Sequence, residues 1–401
     1  MLYMLKILKI KVSGYKLLGD DFTIDLTTKA RVNNDELEKE IFEIDKKLYS
    51  YRTLSFVGCN SSGKSTILTL ILKSLSLLQT GRWEFVKNEF HKETISLEID
   101  FYLNEYIYSY SVILNKPDMN NIGTNNPYAL IENEKLYRIK YDKYKSKNSS
   151  HLIKEDISNS LNSLIDTSSI VNITRDNINV DYFNTNNISN INEVLVRNTF
   201  FESLKKVNDK LLSSIIQLLD ESIEYIKPSD KDNIRFKRFN EDEMILTNIE
   251  ILNILSSGTF RGVELYIRAI NALKYGKVFI VDEIENSFQK NLVSNLLFLF
   301  NDEKINKYNA QLIFSTHYTE ILDYISRRDS IFITHKENGI INISNLYNDY
   351  NIRCELSKSR LFDNNVFNTS INYDMLKTVR RNLIDELYSN NDWRNRWTSI
   401  T

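Results

Sequence analysis

The nineteen residues from Leu54 to Leu72 constrain this chain more than any other stretch. An apolar run ends in Gly58, a polar turn follows, and a helix-patterned segment begins at Gly63-Lys64. Gly58, four residues, then Gly63, Lys64 and Ser65 fit the spacing G-x-x-x-x-G-K-[ST] of a phosphate-binding loop (P-loop). Such a loop wraps an anionic chain in bare main-chain amides, and Gly58 and Gly63 permit the turn. The expected nucleotide-binding set is Gly58, Cys59, Asn60, Ser61, Ser62, Gly63, Lys64, Ser65 and Thr66. Lys64 is expected to reach the terminal phosphates, Ser65 to hold Mg²⁺ through its hydroxyl, and the following helix to aim its positive end at the anion. Ile67, Leu68, Leu70, Ile71, Leu72, Leu75 and Leu78 cover nearly every face of that helix, which predicts burial inside a domain.

A P-loop needs an acidic partner. Val278 to Val281 form a buried-strand pattern that ends in Asp282 and Glu283. Asp282 is the expected Walker-B carboxylate on the Mg²⁺ shell. Glu283 follows at the position that orients or deprotonates an attacking water. Only ten glycines occur, and four of them, Gly58, Gly63, Gly258 and Gly262, fall in the loop or in a second motif at residues 255–262.

That second motif, Leu255-Ser256-Ser257-Gly258-Thr259, together with Asp282-Glu283-Ile284-Glu285-Asn286 and Ser315-Thr316-His317, resembles the ABC-type ATPases. The resemblance is to the soluble branch with structural-maintenance-of-chromosomes heads, overcoming-lysogenization-defect nucleases and bacterial ATPases of antiviral defence and abortive infection. It covers most of the chain outside roughly 120–230, with four motifs in the family's order. It implies that Ser256, Ser257, Gly258 and Thr259 form a signature acting in trans on the opposing subunit's γ-phosphate. It also implies a catalytic role for Glu283, a switch role for His317, and metal contacts from Ser65 and Asp282. ATP and Mg²⁺ are the implied cofactors, and a homodimer or higher oligomer closed around ATP is the implied assembly.

The rest of the chain sets the architecture. Leu5–Leu26 reads as two strands, with an alternation at Leu8, Ile10 and Val12 that is a strand pattern and not a signal peptide. An acidic segment at 33–47 reads as helix or loop. Ile95–Leu103 and Tyr106–Leu114 alternate strictly, as a hairpin with one buried face does. Basic and aromatic residues interleave at Tyr137, Arg138, Lys140, Tyr141, Lys143, Tyr144, Lys145 and Lys147, which suits either a nucleic-acid face or, the reading a charge run favours, a solvated strand and loop. Val194, Leu204, Val207, Leu211, Ile215, Leu218 and Ile226 recur near helical spacing. Strands at Lys277–Glu283, Ala310–His317, Ser330–His335 and Ile340–Leu346, with helices between, predict parallel pairing with helical crossovers. Tyr15 is either a residue stacking on adenine or a buried core tyrosine. Tyr373, Leu376, Val379, Leu383 and Leu387, beside Arg380 and Arg381, form a helical face expected to pack on the head, with Trp393 and Trp397 beyond it.

The expected fold is α/β: a P-loop NTPase of ABC-ATPase type, with a mixed sheet core, an antiparallel β subdomain and a mainly helical insertion. The expected divisions are 1–150 and 236–350 for the two halves of the head, 151–235 for the insertion and 351–401 for a helical tail. Fifty-one basic against fifty-three acidic residues leave no global charge to draw nucleic acid, so such a partner is possible only through local patches. The two cysteines, Cys59 and Cys354, fit a reducing cytoplasm and exclude a disulfide scaffold, and no apolar run is long enough to span a membrane.

Three functions compete. The first is a sensor or switch ATPase controlling a separate effector, a nuclease or toxin, in antiphage defence. The second is a chromosome-maintenance-type repair ATPase on DNA, weakened by the lack of a long coiled coil. The third is a transporter motor, weakened by the large insertion and the lack of a Q-loop glutamine. The 84 residues after His317 lack the D-x-D pair of a Toprim nuclease, so a fused nuclease is not expected.

Overall fold

The computed structural model describes residues 5–33, 39–117, 127–142, 155–161, 167–184, 202, 204, 205, 207–229, 233–286, 288–352, 356–367, 369 and 373–388. Two sheets dominate. The first is antiparallel, with strands β1 (Lys6–Ser13), β2 (Phe22–Asp25), β6 (Thr94–Leu103), β7 (Tyr106–Asn115), β8 (Leu130–Lys140) and β9 (Glu155–Asp156) in the order β2-β1-β6-β7-β8-β9. The alternation read along β1 and β6 is seen directly: Ile10, Val12, Ile95, Leu97 and Ile99 are buried while their neighbours face outward.

The second sheet holds β5 (Thr53–Val57), β10 (Val180–Asn184), β14 (Val278–Asp282), β15 (Gln311–Thr316), β16 (Ile331–Glu337) and β17 (Ile340–Asn345) in the order β10-β14-β15-β5-β16-β17. All neighbours pair in parallel except β16 and β17. Strands β5, β14 and β15 are buried on both faces, which explains their unbroken apolar runs. Leu54, Phe56, Ile280 and Ile313 point to one side, into a core shared with helix α1 (Lys64–Thr80) and the antiparallel sheet. Val57, Phe279, Val281, Leu312 and Phe314 point to the other.

Further helices are α2 (Asp209–Leu219), α3 (Asn248–Ile254), α4 (Ser257–Tyr275), α5 (Lys290–Asn301), α6 (Lys358–Asp363) and α7 (Tyr373–Tyr388). Helix α5 packs into the second core through Val293, Leu296, Leu297 and Phe300. Helix α4 bridges two environments. Leu265, Ala269 and Ala272 enter the second core, while Phe260, Val263 and Ile267 join a smaller one built from α2, α3 and a three-stranded sheet of β11 (Ile223–Pro228), β12 (Asn233–Arg238) and β13 (Met244–Thr247). Gly262 permits that junction, because a Cβ there would meet Leu219 Cδ2 at 2.5 Å.

Several expectations need correction. The acidic segment is no helix: Ile41–Asp45 (β3) and Leu48–Tyr51 (β4) form a hairpin whose turn residues Lys46 and Lys47 both take positive φ, with 34–38 outside the described residues. Tertiary burial of Ile41 and Phe42 outweighs the local charge. The insertion is not mainly helical in its described part, since β10 is an edge strand of the central sheet and Ile226 lies on β11, not on a helix. β16 and β17 join through an Asn338-Gly339 turn with both φ positive, not through a helix. The face of α7 does not pack on the head: Leu376, Val379, Leu383 and Leu387 are each more than half exposed. Trp393 and Trp397 lie outside the described residues, as do Lys143, Tyr144, Lys145, Lys147 and Val194. Of the basic stretch, Arg138 pairs with Glu155, Lys140 pairs with Glu105, and Tyr141 is buried, as a structural strand requires.

The two sheets meet at Lys6. Its ammonium is buried, donates to Gln311 Oε1 at 3.1 Å and Asn309 O at 3.3 Å, and lies 5.0 Å from the centre of the Phe42 ring. Burial pulls it from its ordinary 10.5 down to about 7. Between those values the unfolded chain binds the proton and the folded chain does not. Stability from this site is therefore fully present above 10.5 and lost as pH falls through about 7. Lys6→Met should flatten this rise in urea-unfolding free energy; an unchanged slope in the variant would assign the dependence to other groups.

Candidate active site

The loop from Gly58 to Gly63 leaves the C-terminal end of β5 and enters α1. Gly58 lies against β16: a Cβ there would meet Thr334 O at 2.4 Å and Thr334 Oγ1 at 2.5 Å. Ser62 Oγ and Thr334 Oγ1 share a hydrogen bond of 2.6 Å, and Thr334 Oγ1 donates to Val57 O at 3.3 Å. Ser61 and Gly63 take positive φ, 63° and 108°, so the loop curls back on itself. Lys64 caps this cradle from inside, donating to Gly58 O at 2.9 Å and Cys59 O at 3.0 Å. Burial lowers its pKa, opposed by the negative field of Glu285, then Glu283, Cys59 and Asp282. Cys59 is a free, half-buried thiol, and Asn60, Ser61 and Ser65 are exposed.

Strand order brings the acids to the loop. β15 lies between the loop strand β5 and the acid strand β14, and all three run parallel, so their C-terminal ends open on one edge. Asp282 is buried at the end of β14 and accepts from Ser315 Oγ at 2.5 Å; the Glu283 amide donates to the same hydroxyl at 2.7 Å. Glu283 is half-buried with φ 50°, a left-handed backbone of the kind functional turns hold at a cost. His317 follows β15, its Nδ1 2.5 Å from Glu285 Oε1. Together with Gly58, Cys59 and α6 residues Phe362 and Asp363, His317 lines a cavity of about 130 Å³.

The motif residues of loop, acid strand and histidine thus converge, and the signature does not join them. Ser256 caps α4, its Oγ accepting from the Thr259 amide at 3.0 Å. Ser256 and Ser257 are exposed, Gly258 is half-buried, and Thr259 is buried. Among the described residues no hydrogen bond or ion pair connects residues 256–259 to the loop. Tyr15 takes the core alternative: it is fully buried, edge-on to Trp83 at 5.9 Å, with its hydroxyl donating to Glu89 at 3.3 Å.

The sequence motifs give no individual role to Thr334 or Glu285. Glu285 was within reach as the second acid of the D-E-x-E-N run. Thr334 carried no local signal, because its role depends on β16 pairing with β5.

The donor set suits Mg²⁺. Ser65 and Asp282 offer hard oxygens, and the Gly58 to Gly63 cradle is shaped so that a Cβ at either glycine would collide with neighbouring atoms. Among the described residues there is no group of three or more His, Cys, Asp or Glu able to hold a metal by itself. A cavity of about 800 Å³ at the C-terminal end of α1 beside Arg82 and Arg175 shares no residue with the loop.

A parallel sheet with a glycine cradle at its C-terminal edge, a buried lysine and an acid on a nearby strand define an AAA-type P-loop ATPase domain. Residues 54–323 match the family described as "AAA domain, putative AbiEii toxin, Type IV TA system", and the chain belongs to that family. It is an ATPase family of the kind associated with abortive infection and toxin–antitoxin systems. No curated protein matches the chain. No helix among the described residues is long and apolar enough to cross a membrane.

Proposed function

We propose that this chain is an ABC-type ATP hydrolase whose copies close head to tail around ATP, and that it acts as a switch on a separate effector, a nuclease or toxin. The observation that carries the reading is the separation of its parts. Loop, acids and His317 converge, whereas Ser256 and Ser257 of the signature stand exposed at the start of a nineteen-residue helix, and among the described residues no hydrogen bond or ion pair joins residues 256–259 to the loop. A helix N-terminus presenting Ser256 and the Gly258 amide suits an anion brought by a second copy. The family description, naming a toxin and a toxin–antitoxin system, supports an effector as partner.

Within one copy, the loop amides and Lys64 would bind the phosphates, and Ser65 and Asp282 would hold Mg²⁺. Glu283 orients the attacking water and His317 contacts the terminal phosphate. The bound ion supplies neutralisation of phosphate charge. With Tyr15 buried, the base is assigned to a cavity of about 350 Å³ beside Thr66, lined also by Lys16, Leu17, Phe90 and His91.

Mixing inactive subunits tests the assembly. Lys64→Ala destroys the loop and Ser256→Arg destroys the signature, so each homodimer is dead while a heterodimer keeps one intact composite site. Partial recovery of ATPase activity on mixing is expected. Heterodimers that form without any recovery would place the signature in cis or give it no role.

A further inference from the structure

We propose that Glu285 is a positioning residue that clamps His317 so that Nε2 is the ring nitrogen left to meet the terminal phosphate. This rests on the ATPase reading above and goes beyond it, since the motif logic assigns its acids to Asp282 and Glu283.

Three observations carry it. Glu285 is buried, its side chain 1% exposed against 39% for His317, so a fixed carboxylate meets a ring that opens to solvent. One oxygen, Oε1, takes both contacts: His317 Nδ1 at 2.5 Å and the His317 main-chain amide at 2.7 Å. Ring and backbone are therefore held from the same point, which restricts rotation about the side chain. The other oxygen, Oε2, is buried with no hydrogen-bond partner. A carboxylate kept in so costly a state at a P-loop is better explained by a task than by stability.

The chemistry follows from the inventory of the imidazole ring. A ring that donates from Nδ1 to a carboxylate and from Nε2 to a phosphate oxygen carries both protons. The buried anion compensates that charge, and the ring keeps one orientation whether or not nucleotide is bound. Carboxylate partners of functional histidines act in this way at metal sites and in hydrolytic triads. Glu283 lies on the same turn, where its amide bonds to Ser315 Oγ and its backbone takes a positive φ.

The test uses the full chain and four proteins: wild type, Glu285→Gln, His317→Ala and the double variant. By analogy with carboxylate–histidine pairs elsewhere, Glu285→Gln should lower kcat roughly ten- to a hundredfold with KM for ATP unchanged. The double variant should be no slower than His317→Ala, because Glu285 acts only through the ring. Nitrogen-15 spectra of the histidine side chains, with the His317 signal identified by its loss in His317→Ala, should show a protonated Nδ1 in wild type and a changed pattern in Glu285→Gln. Wild-type kcat in Glu285→Gln, or losses that multiply in the double variant, would overturn the proposal, as would a His317 spectrum indifferent to the substitution. A wild-type protein that turns over no ATP fails differently. It removes the ATPase reading and the catalytic part of this proposal, while the spectra still decide the contact.

Discussion

Lys64→Ala is expected to abolish ATP binding. Lys64 is buried, bonded to two carbonyls of its own loop and surrounded by Glu285, Glu283 and Asp282. A phosphate entering the cradle offers the ammonium a far better partner than neutral carbonyls. Its removal deletes a charge-assisted contact worth about 3 kcal/mol, or roughly a hundredfold in affinity. It also leaves Asp282, Glu283 and Glu285 uncompensated beside an incoming anion, so the loss should be larger still. Titration calorimetry with ATP and Mg²⁺ checks this, with circular dichroism to show that the fold survives. ATP affinity within a few-fold of wild type would mean that the loop does not bind phosphate as assigned.

The second large effect separates binding from chemistry. Glu283→Gln keeps the shape of the side chain and removes its ability to accept a proton. Affinity for ATP should be retained and turnover should fall by about 10² to 10⁴, the range for loss of a general base. If two copies close around ATP, the variant should also accumulate as an ATP-bound dimer, visible by light scattering with ATP and absent with ADP. Wild-type turnover would exclude Glu283 as the base. The two glutamates are distinguishable in advance, because only Glu285 is expected to lose its effect when His317 is already gone.

Much of the site was legible because its determinants are local. Gly58 and Gly63 are spaced by the turn they must make, and Asp282 and Glu283 follow four apolar residues in the pattern of a buried strand. The antiparallel sheet was equally readable in the alternation of Leu8, Ile10 and Val12 and of Ile95, Leu97 and Ile99. Misreadings fell where a distant surface decides. Ile41 and Phe42 belong to an acidic stretch that looks like helix or loop, yet they are buried in a hairpin. Val180–Asn184 carries no pattern distinguishing an inserted segment from an edge strand, because its parallel partner β14 lies nearly a hundred residues away.

By itself the sequence determined that this chain has a glycine-bounded turn between a strand and a helix, an acid pair ending another strand, and an antiparallel sheet alternating inside and out. These depend on contacts between near neighbours and on the period of the backbone. Only the tertiary structure decided that β15 separates the loop strand from the acid strand and sets His317 at their common edge. It decided as well that Tyr15 is core and that Thr334 anchors the loop. Glu285, one acid among fifty-three, becomes the carboxylate that holds His317 only because two parallel strands end side by side, and hydrogen bonds across that distance leave no trace in the order of residues along either one.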